Sequence, residues 1–191
     1  TRFELETGPS HRLHDHLENR SLDVIVAAEV DVPKWMISHP LLEDPFVAIT
    51  PKGRGASLDD LKALSFIEYT RRHAMGRDLA SHLSGERFSL VHRFELDSYR
   101  AMMAMVAGGT GWTILTALGA QHAGRYANDI EIHPLPFAPK ARRISVAVRK
   151  DGLEDMAKDI TARLRPLIQA QVVQPALDAS PWLAGQLAVS T

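Results

Sequence analysis

The sequence predicts an α/β protein, and three stretches carry that prediction. Phe94 to Ala117 reads as a strand end, a capped helix, a glycine break and a second strand in one run. Leu22 to Ala28 (LDVIVAA) is a near-continuous apolar run, as expected of a parallel strand covered on both faces. Strand and helix signals then alternate from Ser57 onward with no internal repeat, which suggests a sheet dominated by parallel pairs.

The elements follow in order. Phe3 to Glu6 alternates and reads as a strand. Gly8-Pro9-Ser10 is a turn whose Ser10 can cap a helix from His11 to Asn19, with Leu13 and Leu17 facing inward. Glu29 to Asp44 holds two prolines and no clear period, so it reads as a connection. Pro45 to Thr50 (PFVAIT) is a strand, and Ser57-Leu58-Asp59-Asp60 is a capping-box pattern that opens a short helix to Leu64. Ser65 to Tyr69 is a strand, Thr70 to His73 a polar turn, and Ala74 to Ser84 a helix with Leu79 and Leu83 inward and Gly85 as its stop.

Phe88, Leu90, His92 and Phe94 alternate as a strand. Asp97 or Ser98 can cap the next helix, whose apolar face is Met102, Met103, Met105 and Val106. Gly108 and Gly109 can take the left-handed conformation that ends it, and Gly111 to Leu115 is a buried strand. Ala117 to Gly124 reads as helical, and Ile130 to Leu135 as a short strand. Ile144, Val146 and Val148 alternate as another strand, and Met156, Ile160 and Leu164 keep helical spacing until Pro166 stops or kinks the helix. The tail beyond Pro175 has weak periodicity. PFVAIT and RISVAVRK are long strands beside polar breaks, which suggests two lobes.

Composition bounds the function. Apolar residues make up 45% and charged residues 24% of 191 residues, ordinary values for a soluble globular protein. The net charge of −1 offers no broad attraction to nucleic acid or anionic membrane. The absence of cysteine removes disulfides, thiolate catalysis and cysteine-held zinc or iron–sulfur sites from these residues. With no membrane-length apolar run and no signal-peptide pattern, the expected location is cytoplasmic.

Few residues suggest chemistry. Gly108-Gly109-Thr110-Gly111 follows a helix and precedes a strand, the reverse of a phosphate loop, so it reads as a helix stop. His11, His14, Asp15 and His16 do not all share one helix face, and a solvated surface explains them better than a metal site. Ser98 lacks a nucleophile elbow. No nucleophile, base and metal set converges, so the chain is expected to be neither an enzyme nor a cofactor carrier. The stronger signal is Tyr69-Thr70-Arg71-Arg72-His73, at a strand's carboxyl end before a helix, where α/β sheets bind ligands. Backbone N–H groups there favour an anion, Thr70 adds a hydroxyl, and Arg71 or Arg72 could grip a carboxylate. Ser10 sits at a similar turn.

Laid out this way, the chain resembles the effector-binding domain of LysR-type transcriptional regulators. The matching pieces are ELETGPSHRLHDHLENRSLDVIVAA, PFVAITPKGRGASLDDLKALSFI, ELDSYRAMMAMVAGGTGWTILTA, and RRISVAVRKDG followed by a helix; together they span residues 2 to 168. The resemblance implies a type-2 periplasmic-binding-protein fold: two Rossmann-like lobes joined by two crossover strands, PFVAIT and RISVAVRK. Residues 1–49 with 147–191 would form one lobe and 50–146 the other. A small effector, expected to be a carboxylate, would sit in the cleft, and the domain would form a homodimer or tetramer. The family's ligand positions fall on Ser10, Ala28, the Tyr69-Thr70 turn and Thr116, to which charge adds Arg71. The family's helix-turn-helix is not among these residues, and neither are the first strand and helix of its first lobe. DNA would be read only through such a separate N-terminal domain, and the chain is expected to be part of a longer protein. The rival expectation is a solute-binding protein of the same fold serving transport, against which the lack of a signal peptide and of a cysteine for lipid attachment weighs.

Overall fold

The structure, a computed structural model, describes residues 3–29, 32–86, 93–121 and 123–190. The chain divides into two compact units. The first comprises Thr1–Glu43, Arg142–Pro175 and Leu187–Thr191, and the second Asp44–Ala141 and Ala176–Gln186. The chain therefore leaves the first unit within one long strand and returns at the start of another.

In the first unit, helix α1 (Ser10–Glu18) precedes strand β1 (Val24–Ala28), and the long strand β2 (Met36–Pro51) begins here. Strand β1 pairs antiparallel with β7 (Ala141–Arg149), in the register Val26↔Val146. Strand β7 lies between β1 and β2. Leu13 and Leu17 of α1 pack on Ile25, Ala27, Met36 and Ala147. On the other face of β7, Val146 and Val148 join Leu41 and Ala157, against Ile160, Leu164 and Ile168 of helix α6 (Glu154–Ile168). The alternation of β7 thus supplies two cores, one beneath each helix.

The second unit holds the rest of β2, helix α2 (Leu58–Lys62), β3 (Ser65–Tyr69), α3 (Ala74–Gly85), β4 (Arg93–Leu96), α4 (Tyr99–Ala107), β5 (Gly111–Thr116), α5 (Ala117–Gln121) and β6 (Ile130–His133). Strand β5 lies between β2 and β3, and β4 flanks β3. Phe46, Ala48, Phe66, Trp112 and Ile114 line one sheet face against Leu61 of α2 and Leu79 and Leu83 of α3, with the Phe66 and Trp112 rings 4.7 Å apart. Ser57 caps α2 by accepting from Asp60 N–H while Asp60 accepts from Ser57 N–H, the reciprocal pair expected from the sequence. Ser98, rather than Asp97, caps α4. Met102, Met103 and Val106 are buried. Gly109 takes φ of +76°, the left-handed turn that ends α4.

Several expectations fail for identifiable reasons. Residues 3–6 form no strand: no described strand lies beside them, and Phe3 and Leu5 are exposed. Ser10 is the first residue of α1 and does not cap it; its N-cap is Pro9. The LDVIVAA strand is antiparallel to its neighbour and leaves Val26 45% exposed, so it is not covered on both faces. Glu29 to Asp44 is not a connection throughout, because Met36 onward belongs to β2; Pro40 and Pro45 hide that strand by breaking its sequence signal. The sheet is mixed rather than mainly parallel. Strand β3 pairs in parallel with β4 and β5, whereas β1–β7, β2–β5, β2–β6 and β2–β8 are antiparallel. Parallel pairing needs a crossover helix between successive strands, and α3 and α4 supply it only for β3, β4 and β5.

Pro166 does not stop α6, which runs to Ile168 and passes into a wider π-type turn at 169–173 before α7 (Gln174–Ala179). A single missing N–H weakens the ladder without ending it. Of the expected apolar line, Met156 faces solvent, whereas Ile160 and Leu164 pack on the core beside the fully buried Ala157. The tail past Pro175 forms α7, a short 3₁₀ turn at Pro181–Leu183 and strand β8 (Ala188–Val189), which pairs with β2 in the first unit. The alternating residues Phe88, Leu90 and His92 lie outside the described residues.

One half-buried group in the first unit is expected to make stability pH-dependent. His39 Nε2 is enclosed with no hydrogen-bond partner among the described residues. Burial, with the charges of Lys158 and Arg165 behind it, pushes the imidazole pKa below its ordinary value of 6.5. The unfolded chain therefore binds this proton more readily, so the stability from neutral His39 is present above about pH 6.5 and falls as acid charges the ring. His39→Gln is expected to flatten the fall in urea midpoint between pH 7 and pH 5. Parallel pH profiles for the variant and the wild type would refute it.

Candidate functional site

Each unit presents hydrogen-bonded strand ends. In the first unit, Ser10 and Ala28, predicted separately, meet: Ser10 Oγ accepts from Ala28 N–H at 3.1 Å, and His14 Nε2 lies 3.1 Å from the Ala28 carbonyl. The Ser10 hydroxyl thus ties α1 to the end of β1. Next along the chain, Glu29 accepts from Ser38 Oγ at 2.8 Å and Ser145 Oγ at 2.6 Å, with Arg143 Nη1 3.6 Å away. Nothing in the local pattern around Glu29 announced this network, because its partners come from β2 and β7. Of the histidines considered for metal binding, His16 contacts Glu6 and His14 faces Ala28. Among the described residues no three His, Asp or Glu side chains converge as a metal site.

In the second unit, the carboxyl ends of β3 and β5 lie side by side. Their parallel register runs from Ser65↔Gly111 to Ile67↔Thr113, and Thr70 and Thr116 follow toward the carboxyl ends of β3 and β5. Thr70 N–H donates to Leu96 O of β4 at 2.8 Å. Thr70 is 4% exposed, and its hydroxyl donates to Glu95 Oε1 at 2.7 Å. The same carboxylate oxygen accepts from Arg71 N–H at 3.3 Å. Glu95 and Glu68 are cross-strand partners, and the buried Glu68 carboxylate is met by Arg71 Nε at 2.7 Å. Arg71, half exposed, therefore spends its Nε on an internal acid, which holds its guanidinium yet more firmly protonated. Arg77 closes the turn by donating to the carbonyls of Arg71 and Arg72 at 3.2 and 2.9 Å.

The aromatic side of this turn is Tyr69, whose ring lies 5.6 Å from His73 and 5.2 Å from Tyr99 of α4. Thr116 is fully buried, and its Oγ1 accepts from Gly119 N–H at 3.1 Å, while Asp44 Oδ1 accepts from Leu118 N–H at 3.0 Å. These two acceptors serve the first N–H groups of the short α5. Residue type alone pointed to Thr70 and Arg71; Glu95 and Tyr99 were missed because they join the turn through β4 and α4, and Glu68, on β3 itself, because nothing in the local pattern marks it as buried.

The Thr70 hydroxyl above all, with Arg71 N–H and the charges of Arg72 and Arg71, holds the Glu95 carboxyl below its ordinary range, outweighing desolvation. The two donors of the turn, Thr70 Oγ1 and Arg71 N–H, thus both meet one carboxylate oxygen, that of Glu95.

Two α/β units, with the chain passing from one to the other within β2 and again at the start of β7, are the architecture of periplasmic-binding-protein-like domains. The family model described as the LysR substrate binding domain matches residues 1–166, and the chain belongs to that family, the effector-binding domains of LysR-type regulators. No curated protein matches the sequence. Among solved structures it is similar to the reduced regulatory domain of OxyR from Pseudomonas aeruginosa, with 23% identity and a TM-score of 0.66 over 86% of this chain and 80% of that one. It is similar to reduced OxyR from N. meningitidis at 21% identity and a TM-score of 0.66, over 96% and 82% of the two chains. For a mutant OxyR from Corynebacterium glutamicum the values are 17% and 0.72, over 90% of this chain and 56% of that one. At these identities the likeness concerns the fold. No described helix is long and apolar enough to cross a membrane.

Proposed function

We propose that this domain senses a small anionic effector whose charged group takes the place of the Glu95 carboxylate at the Thr70 turn. The observation that carries the reading is the pair of donors, Thr70 Oγ1 and Arg71 N–H, already aimed at one carboxylate oxygen at 2.7 and 3.3 Å. A ligand carboxylate meets the same two donors, and Arg71 and Arg72 contribute charge. Tyr69 and Thr116 flank this position, and Ser10 and Ala28 are the corresponding ligand positions in the first unit. Displacing Glu95 removes the side-chain tie between β4 and the turn while the Thr70 N–H bond to Leu96 O stays, so occupancy changes the local structure; a homodimer or tetramer then passes that change to an N-terminal helix-turn-helix domain that reads DNA. The OxyR structures from Pseudomonas aeruginosa and N. meningitidis are described as reduced forms, but these 191 residues contain no cysteine and so no thiol–disulfide couple of their own.

A calorimetric titration of small carboxylates tests the reading. Thr70→Val is expected to weaken the bound acid about tenfold, the worth of one hydrogen bond to a charged group. Glu95→Gln is expected to tighten it, because a neutral amide competes less well for the same donors. Affinities unchanged by both substitutions would sink the proposal. Acid works in the same direction as Glu95→Gln. Because the folded carboxyl is held low, its stabilising bonds are present above the unfolded pKa and are lost as pH falls through the folded one.

A further inference from the structure

We infer that the second unit carries a separate site for a phosphate-bearing small molecule, between the first turn of α4 and the 3₁₀ turn Gly124–Tyr126. An open pocket of about 290 Å³ is lined there by Arg100, Ala123, Gly124, Arg125 and Tyr126. Its size lies near the lower end, about 300 Å³, of pockets that hold small ligands.

The local chain explains why two cations face one hollow. Ser98 caps α4 and fixes its first turn, which places Arg100 on the exposed side while Met102, Met103 and Val106 turn inward. Gly124 takes φ of +53°, so the chain turns sharply behind the buried Ala123 and brings Arg125 and Tyr126 alongside. Arg125 is then held flat: its guanidinium carbon stands 4.9 Å from the Tyr126 ring centroid, and its Nη2 donates to the Tyr126 hydroxyl at 2.6 Å. That hold leaves most of the five-donor fork free to meet an oxyanion and removes much of the entropy cost of ordering the side chain.

Charge balance points to the ligand. Among the described residues neither Arg100 nor Arg125 forms an ion pair with a carboxylate, whereas Arg12, Arg20, Arg71, Arg143, Arg149 and Arg163 do. The acids nearest in sequence, Asp97 and Asp129, are engaged with neither. Two guanidinium groups around one hollow repel each other, and an anion between them removes that repulsion and gains both attractions. A phosphate dianion matches the two charges and offers enough oxygens for both forks, whereas a single carboxylate satisfies one. The pocket volume exceeds a bare phosphate, which leaves room for a small organic group. This site is distinct from the Thr70 turn, although Tyr99, next to Arg100, touches that turn through Tyr69 and donates its hydroxyl to Met75 Sδ at 3.1 Å.

The test is a titration of the intact chain with inorganic phosphate at constant ionic strength, followed by backbone amide NMR shifts. Saturable binding is expected, with shifts centred on residues 100 and 123–126. Arg100→Gln and Arg125→Gln are each expected to weaken it at least tenfold, while Arg54→Gln, outside the pocket, leaves it unchanged. Both pocket residues are exposed, so thermal midpoints should match the wild type. A linear, non-saturating response overturns the site, as does an equal loss in Arg54→Gln or unaltered binding in both pocket variants. Acetate binding as tightly as phosphate overturns the assigned class. Shifts confined to the Thr70 turn would assign the anion to the proposed effector position instead and would likewise overturn this inference.

Discussion

Gly76→Ala is expected to lower the urea midpoint of the second unit and to abolish acid binding at the Thr70 turn. Gly76 lies in the first turn of α3, where a methyl group would stand 2.1 Å from Thr70 O, 2.7 Å from Thr70 C and 2.8 Å from Tyr69 O. All three atoms are backbone, so no side chain can swing aside. Alanine in a helix gains about 1 kcal/mol over glycine. Here overpacking costs about 1–3 kcal/mol and sets the sign, because either α3 lifts off the sheet or the turn gives way. If the turn gives way, the Thr70 hydroxyl leaves Glu95 and the Arg77 bonds to the Arg71 and Arg72 carbonyls are lost with it. Chemical denaturation and the carboxylate titration read the two effects separately. A midpoint at or above the wild-type value, with acid binding intact, would show that α3 has room the structure denies it.

The second large effect belongs to Arg149, the last residue of β7. It is 8% exposed, and its Nη1 donates to the carbonyls of Leu17 and Leu22, both at 2.7 Å. Its Nε donates to Asp151 Oδ2 at 2.9 Å, and Nη2 lies 3.4 Å from Asp23. One side chain therefore fastens the end of α1 and the approach to β1 onto β7. Arg149→Met keeps the stem and its packing but leaves the Leu22 carbonyl without its donor, the Leu17 carbonyl with only the 3.4 Å bond from Arg20 N–H, and Asp151 with Arg20 alone. Each unsatisfied buried group costs about 1–3 kcal/mol, so a loss of about 3 kcal/mol is expected, read as a lower thermal midpoint. Arg149→Lys should fall between the two, since an ammonium keeps the charge but cannot span both carbonyls and Asp151. A methionine variant as stable as the wild type would mean that water serves these carbonyls well enough.

How much was legible beforehand depended on the range of the interaction. Ser57 with Asp60, the Met102, Met103 and Val106 face, and the Gly109 stop are settled within one turn of chain, and they fell where the spacing put them. Elements set by distant partners did not. The strand from Met36 was masked by Pro40 and Pro45, yet it forms because β5, β6 and β8 supply partners from far along the sequence. Ser10 looked like a cap and instead binds the end of β1.

The site divides the same way. Position at a strand end and residue type sufficed to single out Thr70 and Arg71. That the Thr70 hydroxyl and Arg71 N–H already hold Glu95 follows only from the side-by-side register of β3 and β4, whereas the Arg71–Glu68 pair is local, three residues apart.

By itself, then, the sequence determined the α/β class, the family and the caps at Ser57 and Ser98, because hydrophobic period and capping are short-range physics written residue by residue. Strand direction, the partner of each polar group and the occupant of the Thr70 turn were decided by tertiary structure. Those depend on which distant strands come together, and a linear pattern does not encode that in any one stretch.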